Sequence, residues 1–221
     1  MTQNSPHLIG MIWLFGSLLH GQNAAAGPIA DAAEVGDVVA IRELLRTGVD
    51  VDGPQGDGMT ALHWAAENGD AELAQMLVYA GANISAGTRI GGYTPLHIAS
   101  LNGHSDVVTM LLAANASPTV PTNTGGTLPL HLAAAAADSE SLKALLGTGV
   151  DVNAREGAWG QTALTFAASA GRPENVRLLL AAGADPAITA NVIDTAEMER
   201  GDQAANRRLV GVLSDFKEKA G

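Results

Sequence analysis

The stretch that decides the fold is Thr94-Pro95-Leu96-His97-Ile98-Ala99-Ser100. Similar heptads surround three other leucines, Leu62, Leu130 and Leu164, and successive leucines of this set stand 34 residues apart. A fixed period of roughly 20–50 residues is typical of repeat architectures, in which stacked units share one continuous core. We therefore expect this chain of 221 residues to form a stack of similar units instead of one compact globule.

Each copy of the heptad is followed by the same further signals. Seven residues after the leucine comes a turn residue, and a second apolar stretch then ends in a glycine or in Asn115, which tolerates the left-handed conformation of a helix C-cap. Thr or Pro at the start of the heptad suits a helix N-terminus. The pattern predicts two short amphipathic helices per unit, and such a unit cannot bury its apolar face alone.

This pattern resembles the ankyrin repeat, with its signature T-P-L-H-x-A, a glycine, and then V-x-x-L-L-x-x-G-A-D. The resemblance implies an all-α ankyrin-repeat solenoid of stacked helix-turn-helix units joined by β-hairpin-like loops, in a protein of bacterial and exported type. The expected domain covers residues 27–215 and is followed by a tail at 216–221. Its units are expected at 28–52, 57–86, 91–120, 125–154 and 159–188, with a degenerate cap at 190–213.

The unit around Leu130 departs from the pattern. Leu128 stands where the other units have threonine, and Ala137 stands where they have the turn glycine. Alanine at a positive φ costs on the order of 1 kcal/mol. We therefore expect this unit to be the weakest joint of the stack.

The first 26 residues differ in composition from the rest. An apolar run from Leu8 to Leu19 precedes Ala24-Ala25-Ala26. The run is shorter than the roughly 20 residues of a membrane span, but it suits the apolar region of a signal peptide with cleavage after Ala26. The usual early positive charge is missing, because the first basic residue is Arg42. We expect a cleaved signal peptide at 1–26, a periplasmic or secreted protein and no stable membrane insertion; a buried helix and an uncleaved anchor are the alternatives.

The chain carries 12 basic and 23 acidic side chains, a net charge of −11. Between Asp31 and Glu72 ten acids face only two bases, Arg42 and Arg46. Nucleic acids and anionic lipids are bound chiefly through Lys and Arg, so neither is an expected partner. The acidic N-terminal flank instead favours a protein partner with a basic patch.

The sequence offers little for catalysis. It contains no cysteine, no phosphate-binding loop, no His-Glu-x-x-His and no Gly-x-Ser-x-Gly, so we expect no enzyme, no cofactor and no metal site. His63, His97 and His131 recur every 34 residues. The resemblance implies that they bond to threonine and backbone groups within the stack.

The resemblance also implies where a partner would bind. The concave face of such a solenoid consists of the loop tips before each first helix and the exposed end of that helix. By position the candidates are Asp57, Met59, Ile90, Tyr93, Trp159 and Gln161 at the tips, and Glu67, Asn68, Leu101 and Asn102 on the helix ends. Aromatic residues and Met are enriched in interface cores; the alternative is that Tyr93 and Trp159 fold back onto adjacent loops.

These observations favour a non-enzymatic, monomeric interaction module that binds a protein outside the cytoplasm. Two alternatives fit the same pattern, a secreted effector that engages a host protein and an accessory or structural protein of an envelope enzyme.

Overall fold

The computed structural model describes residues 27–191, which form ten α-helices in five consecutive pairs. The first helices of the pairs are α1 (Pro28–Glu34), α3 (Ala61–Asn68), α5 (Pro95–Asn102), α7 (Pro129–Ala135) and α9 (Ala163–Ser169). The second helices are α2 (Val38–Arg46), α4 (Ala71–Tyr79), α6 (Ser105–Ala113), α8 (Glu140–Leu146) and α10 (Pro173–Ala181). First helices pack on first helices from α1 to α9, and α4, α6 and α8 form a second row, which confirms the predicted all-α solenoid. The expected signal peptide, the tail and nearly all of the cap lie outside the described residues.

The core is a column of aliphatic side chains that the helices supply at repeating positions. Leu62, Leu96 and Leu130 are buried in the first helices, and the second helices bury the set Leu77, Leu111, Leu145 and Leu179. Both sets repeat every 34 residues, so each unit buries its apolar stripe against its neighbours. Within the described residues, no helix is long and apolar enough to cross a membrane.

The helix ends follow local sequence signals. Asp37 and Asp70 cap second helices, since their side chains accept hydrogen bonds from Ala40 N at 2.9 Å and Leu73 N at 2.8 Å. Asn115 adopts a φ of 67°, so its predicted left-handed conformation is confirmed. Such caps satisfy backbone groups that the helix itself leaves free.

The end of α7 corrects the expectation about Ala137. Among the described residues Asn115 is the one non-glycine residue with a positive φ, so Ala137 carries no such strain. Helix α7 ends at Ala135 instead, and Ala136 is extended with φ −64° and ψ 159°. The backbone leaves the helix before it reaches the left-handed turn, because alanine disfavours that turn. The weak joint stays a prediction, but strain at Ala137 is the wrong reason for it.

Side chains from the following unit cap the shortened helix. Asn175, on α10 and 1% exposed, donates from Nδ2 to the carbonyls of Ala133, Ala134 and Ala136 at 3.4, 3.0 and 3.1 Å. Arg172 Nε donates to the Ala135 carbonyl at 3.0 Å. Carbonyls at a helix C-terminus need such donors when they are buried.

Two glycines of equal φ provide a test of how the turns are packed. Gly36 and Gly69 both have φ near +70°, but a Cβ at Gly69 would lie 2.7 Å from Nδ1 of His104, whereas nothing lies within 4 Å of one at Gly36. We expect G36A to lower the free energy of unfolding by about 1 kcal/mol through backbone strain, and G69A by about 2 kcal/mol because His104 must also move. Urea denaturation measures both; equal losses would contradict the steric term.

Hairpin-like loops join the units. They close through backbone bonds such as Thr88 N to Tyr93 O and Thr122 N to Thr127 O, both 2.9 Å. Neighbouring loops are linked by one further backbone bond each: Arg89 N to Asp57 O, Asn123 N to Gly91 O, Gly157 N to Gly125 O and Asn191 N to Trp159 O, at 2.8, 2.7, 2.6 and 2.6 Å. These bonds place the loop tips in a regular row.

Candidate protein-binding face

In three of the four heptads a histidine ties the first helix to the next loop. His63 Nδ1 accepts the N–H and O–H of Thr60 at 3.1 and 2.8 Å, and its Nε2–H donates to the Tyr93 carbonyl at 2.9 Å. His97 makes the same contacts with Thr94 and with the Thr127 carbonyl. The predicted bonding to threonine and backbone is therefore present, and both ring nitrogens are occupied in the neutral form.

Burial disfavours the charged form of these histidines. It lowers the pKa of His97 from 6.5 to about 4, and it also lowers the pKa of His63 and His131. At His131 the partner residue is Leu128, which offers only its backbone N–H at 3.0 Å. Within residues 27–191 no group of three or more His, Asp or Glu side chains is placed to hold a metal ion.

The four tips that precede first helices differ in how far they expose their side chains. Asp57 is exposed and accepts the Met59 N–H at 2.9 Å, while Met59 is half-buried against the core. Ile90 is 78% exposed and Trp159 is 41% exposed. Ile90 and Trp159 are thus the large apolar side chains that these tips offer most openly to solvent.

Tyr93 contacts the first helix of its own unit. Its ring is half-buried and meets His97 edge-on, with ring centroids 5.9 Å apart and an interplanar angle of 80°. Burial raises the pKa of its hydroxyl. Tyr93 therefore packs on its own unit and presents only part of its ring to a partner.

A buried carboxylate shapes the tip that carries Trp159 and Gln161. Glu156 is 4% exposed, and its side chain accepts the N–H groups of Ala158, Trp159 and Gln161 at 2.7, 2.6 and 3.0 Å. Two of the other tips have Thr88 and Thr122 at this position, and the tip before α3 has Pro54. Three charge-assisted bonds hold the loop in one conformation, so Trp159 is presented from a fixed backbone.

The helix-end candidates contact one another between units. Asn102 Nδ2 donates to Glu67 Oε2 at 2.9 Å, and the exposed Asn68 donates to the Ala33 carbonyl at 3.2 Å. Leu101 is half-buried beside them on α5. Glu67 and Asn102 are therefore brought together, whereas Asp57 and Trp159 lie on tips three units apart.

A polar cluster at the N-terminal end was not predicted from the sequence. Gln55 Nε2 donates to Asp31 Oδ1 at 2.9 Å and to Glu34 Oε2 at 2.8 Å, while its Oε1 accepts the indole N–H of Trp64 at 2.8 Å. Trp64 is half-buried, so it is only partly a core residue. Aligning the units could have indicated this cluster, because it places Asp31 at the repeat position of Trp64 and Glu34 at that of Glu67.

Comparison with known proteins agrees with this architecture. The palmitoyltransferase Hip14 of Drosophila melanogaster is 35% identical over 58 residues, which are 26% of this chain and 9% of that protein. This chain thus matches less than a tenth of that relative, and the transferase activity in its name is stated of that protein alone. The family model for ankyrin repeats in three copies matches residues 29–122 and 115–190. Ankyrin repeats indicate a protein-interaction module. With most of its length matched, the chain belongs to the ankyrin-repeat family.

Proposed function

We propose that this protein is a non-enzymatic interaction module that acts outside the cytoplasm and binds one protein along its predicted concave face. The observation that supports this most is a set of side chains spread along the stack, in which Asp57, Ile90 and Trp159 are exposed and Leu101 is half-buried. Their backbone is held by the hydrogen bonds between neighbouring loops and by the bonds of His63 and His97 to the loops that follow them. Accessible apolar and aromatic groups on rigid supports are suited to act as binding anchors.

The test begins with purification from the native compartment and identification of the protein that co-elutes. Binding is then measured for L101A and W159A, which should each weaken it at least about tenfold if these side chains are anchors. Y79A is the matched control, because Tyr79 is an exposed aromatic residue on the second helix α4. Loss of binding in Y79A with retention in the other two variants would move the interface away from the proposed face.

Charge predicts the kinetics of binding. Asp31, Glu34, Asp57 and Glu67 lie in the first two units and favour a partner with a basic patch. We expect the association rate constant to fall about tenfold between roughly 0.01 and 0.15 M salt, because screening shortens the range of attraction. Stopped-flow or surface plasmon resonance measures it, and an association rate independent of salt would contradict the basic patch.

The proposed location is supported by the apolar run Leu8–Leu19 and the small residues Ala24-Ala25-Ala26. We expect cell fractionation to recover the protein outside the cytoplasm with Gly27 as its first residue. Mass spectrometry of the intact protein measures this start. A cytoplasmic protein that retains Met1 would contradict export, while leaving partner binding to be judged by the variants above.

A further inference from the structure

Two positions of the first helix recur beside the tips in every unit, and their exposure ranges from open at Asp31 and Glu34 to 7% at Ile98 and Leu132. One position holds Asp31, Trp64, Ile98, Leu132 and Phe166, and the other holds Glu34, Glu67, Leu101, Ala135 and Ser169. Both positions change character along the stack in the same way. In α1 and α3 these positions hold acidic residues and Trp64, whose indole carries a polar N–H. From α5 to α9 they hold apolar or small residues, of which Ser169 alone carries a hydroxyl.

The acidic half has unused capacity to accept hydrogen bonds. Because the single Nε2 atom of Gln55 donates to both Asp31 and Glu34, these two exposed carboxylates lie side by side. A carboxylate has about four acceptor sites, so each can still bind a cation. The ion pairs found in residues 27–191 all lie within second helices, at Arg46–Glu43, Lys143–Glu140 and Arg177–Glu174. No basic side chain of this region neutralises Asp31, Glu34 or Glu67.

The apolar half offers a different surface. Leu101 and Phe166 are half-buried there, and Ile98 and Leu132 are buried. Ala135 projects only a methyl group, so the face is shallow in the fourth unit. A large apolar side chain of a partner can rest there without displacing a charged group, which would otherwise lose its hydration.

We propose that the partner lays one polypeptide segment along this face, with Arg or Lys side chains over α1 and α3 and large apolar side chains over α5 to α9. This inference rests on the proposed function and adds the chemistry and direction of the bound segment. First helices packed about 10 Å apart give a span of about 40 Å from α1 to α9. An extended segment of about 12 residues covers that distance. Charge complementarity places the basic end of the segment over α1 and α3.

The experiment uses a displayed library of random peptides about 16 residues long, selected on the full chain and, in parallel, on the variant E34Q/E67Q. Glutamine keeps the acceptors for Gln55 and Asn102 while it removes both charges. The control E72Q/D106N removes two exposed charges from second helices. We expect peptides selected on the wild-type chain to carry basic residues at one end and apolar residues at the other. Their Kd should rise about tenfold for E34Q/E67Q at low salt and stay unchanged for the control.

Direction is measured with a spin label on either end of the tightest peptide. The label at the basic end should broaden backbone resonances of α1 and α3, and the label at the apolar end those of α7 and α9. Peptides without basic enrichment that still lose affinity with L101A would overturn this inference and leave the proposed function standing. Peptides that bind but respond to neither E34Q/E67Q nor L101A would overturn both.

Discussion

Acidification from pH 7 to pH 4 is expected to remove several kcal/mol from the free energy of unfolding. His97 has a pKa of about 4 in the folded protein and about 6.5 when unfolded, so the unfolded state binds its proton first. The stability contributed by neutral His97 is complete above about pH 6.5 and is lost progressively down to about pH 4. A difference of that size is about 3 kcal/mol, and the lowered pKa values of His63 and His131 act in the same direction.

Urea denaturation followed by circular dichroism at several pH values between 7 and 4 measures this effect. The variant H97Q keeps a donor for the Thr127 carbonyl but does not titrate, so it should be less stable at pH 7 and lose less stability on acidification. The difference between the two pH profiles is assigned to His97. Parallel profiles for wild-type and H97Q would show that this imidazole does not drive the acid sensitivity.

Replacing Asn175 with alanine is expected to lower the free energy of unfolding by about 3 kcal/mol. The substitution removes the amide that donates to three carbonyls at the end of α7, in a place with 1% exposure where water cannot substitute fully. Thermal and urea denaturation measure the loss. Hydrogen exchange should locate it, with the amides of α7 losing protection before those of α3.

Two further variants separate capping from packing. N175L fills the space that N175A would leave with an apolar side chain, as Leu73 does at the equivalent position of the second unit. It also removes the buried Oδ1 atom that has no partner. We expect it to remain about 2 kcal/mol less stable than wild type, because the carbonyls still lack donors. N68A removes a similar amide-to-carbonyl bond at an exposed site and should cost under about 1 kcal/mol. A fully stable N175L would show that packing, not capping, is what Asn175 provides.

The 34-residue period was enough to predict the helices, because one set of local signals recurs in every unit. Thr94, Pro95 and Gly103 fix where a helix begins and ends through short-range hydrogen bonds and dihedral preferences, which are legible in sequence. The end of α7 was not predictable in this way. Its donors, Asn175 and Arg172, stand 37 or more residues further along the chain than the carbonyls they cap, and only the packed structure brings them together.

For the candidate face, aligning the units gave repeat positions but not contacts. Aligning the units placed Ile90 and Trp159 on exposed tips, since exposure follows from the repeat position. It did not reveal that Tyr93 turns onto His97, or that Gln55 gathers two carboxylates and an indole, because rotamers and bonds between loops depend on neighbouring units. A polar residue at a position that is apolar in other units, as Asn175 is beside Leu73 and Val107, was a signal in the sequence that did not enter the prediction.

The histidine bonds also impose an order on how the protein is made. His63 finds its acceptor on Tyr93, and His97 on Thr127, each 30 residues further along the chain. As the polypeptide emerges N-terminus first, from a ribosome or from a membrane channel, each unit that carries such a histidine stays incompletely bonded until the next loop has followed. Native structure should thus form one unit at a time behind the emerging chain. In a chain stalled midway, the unit nearest the exit would be the least stable, because its bonds to the next loop are missing.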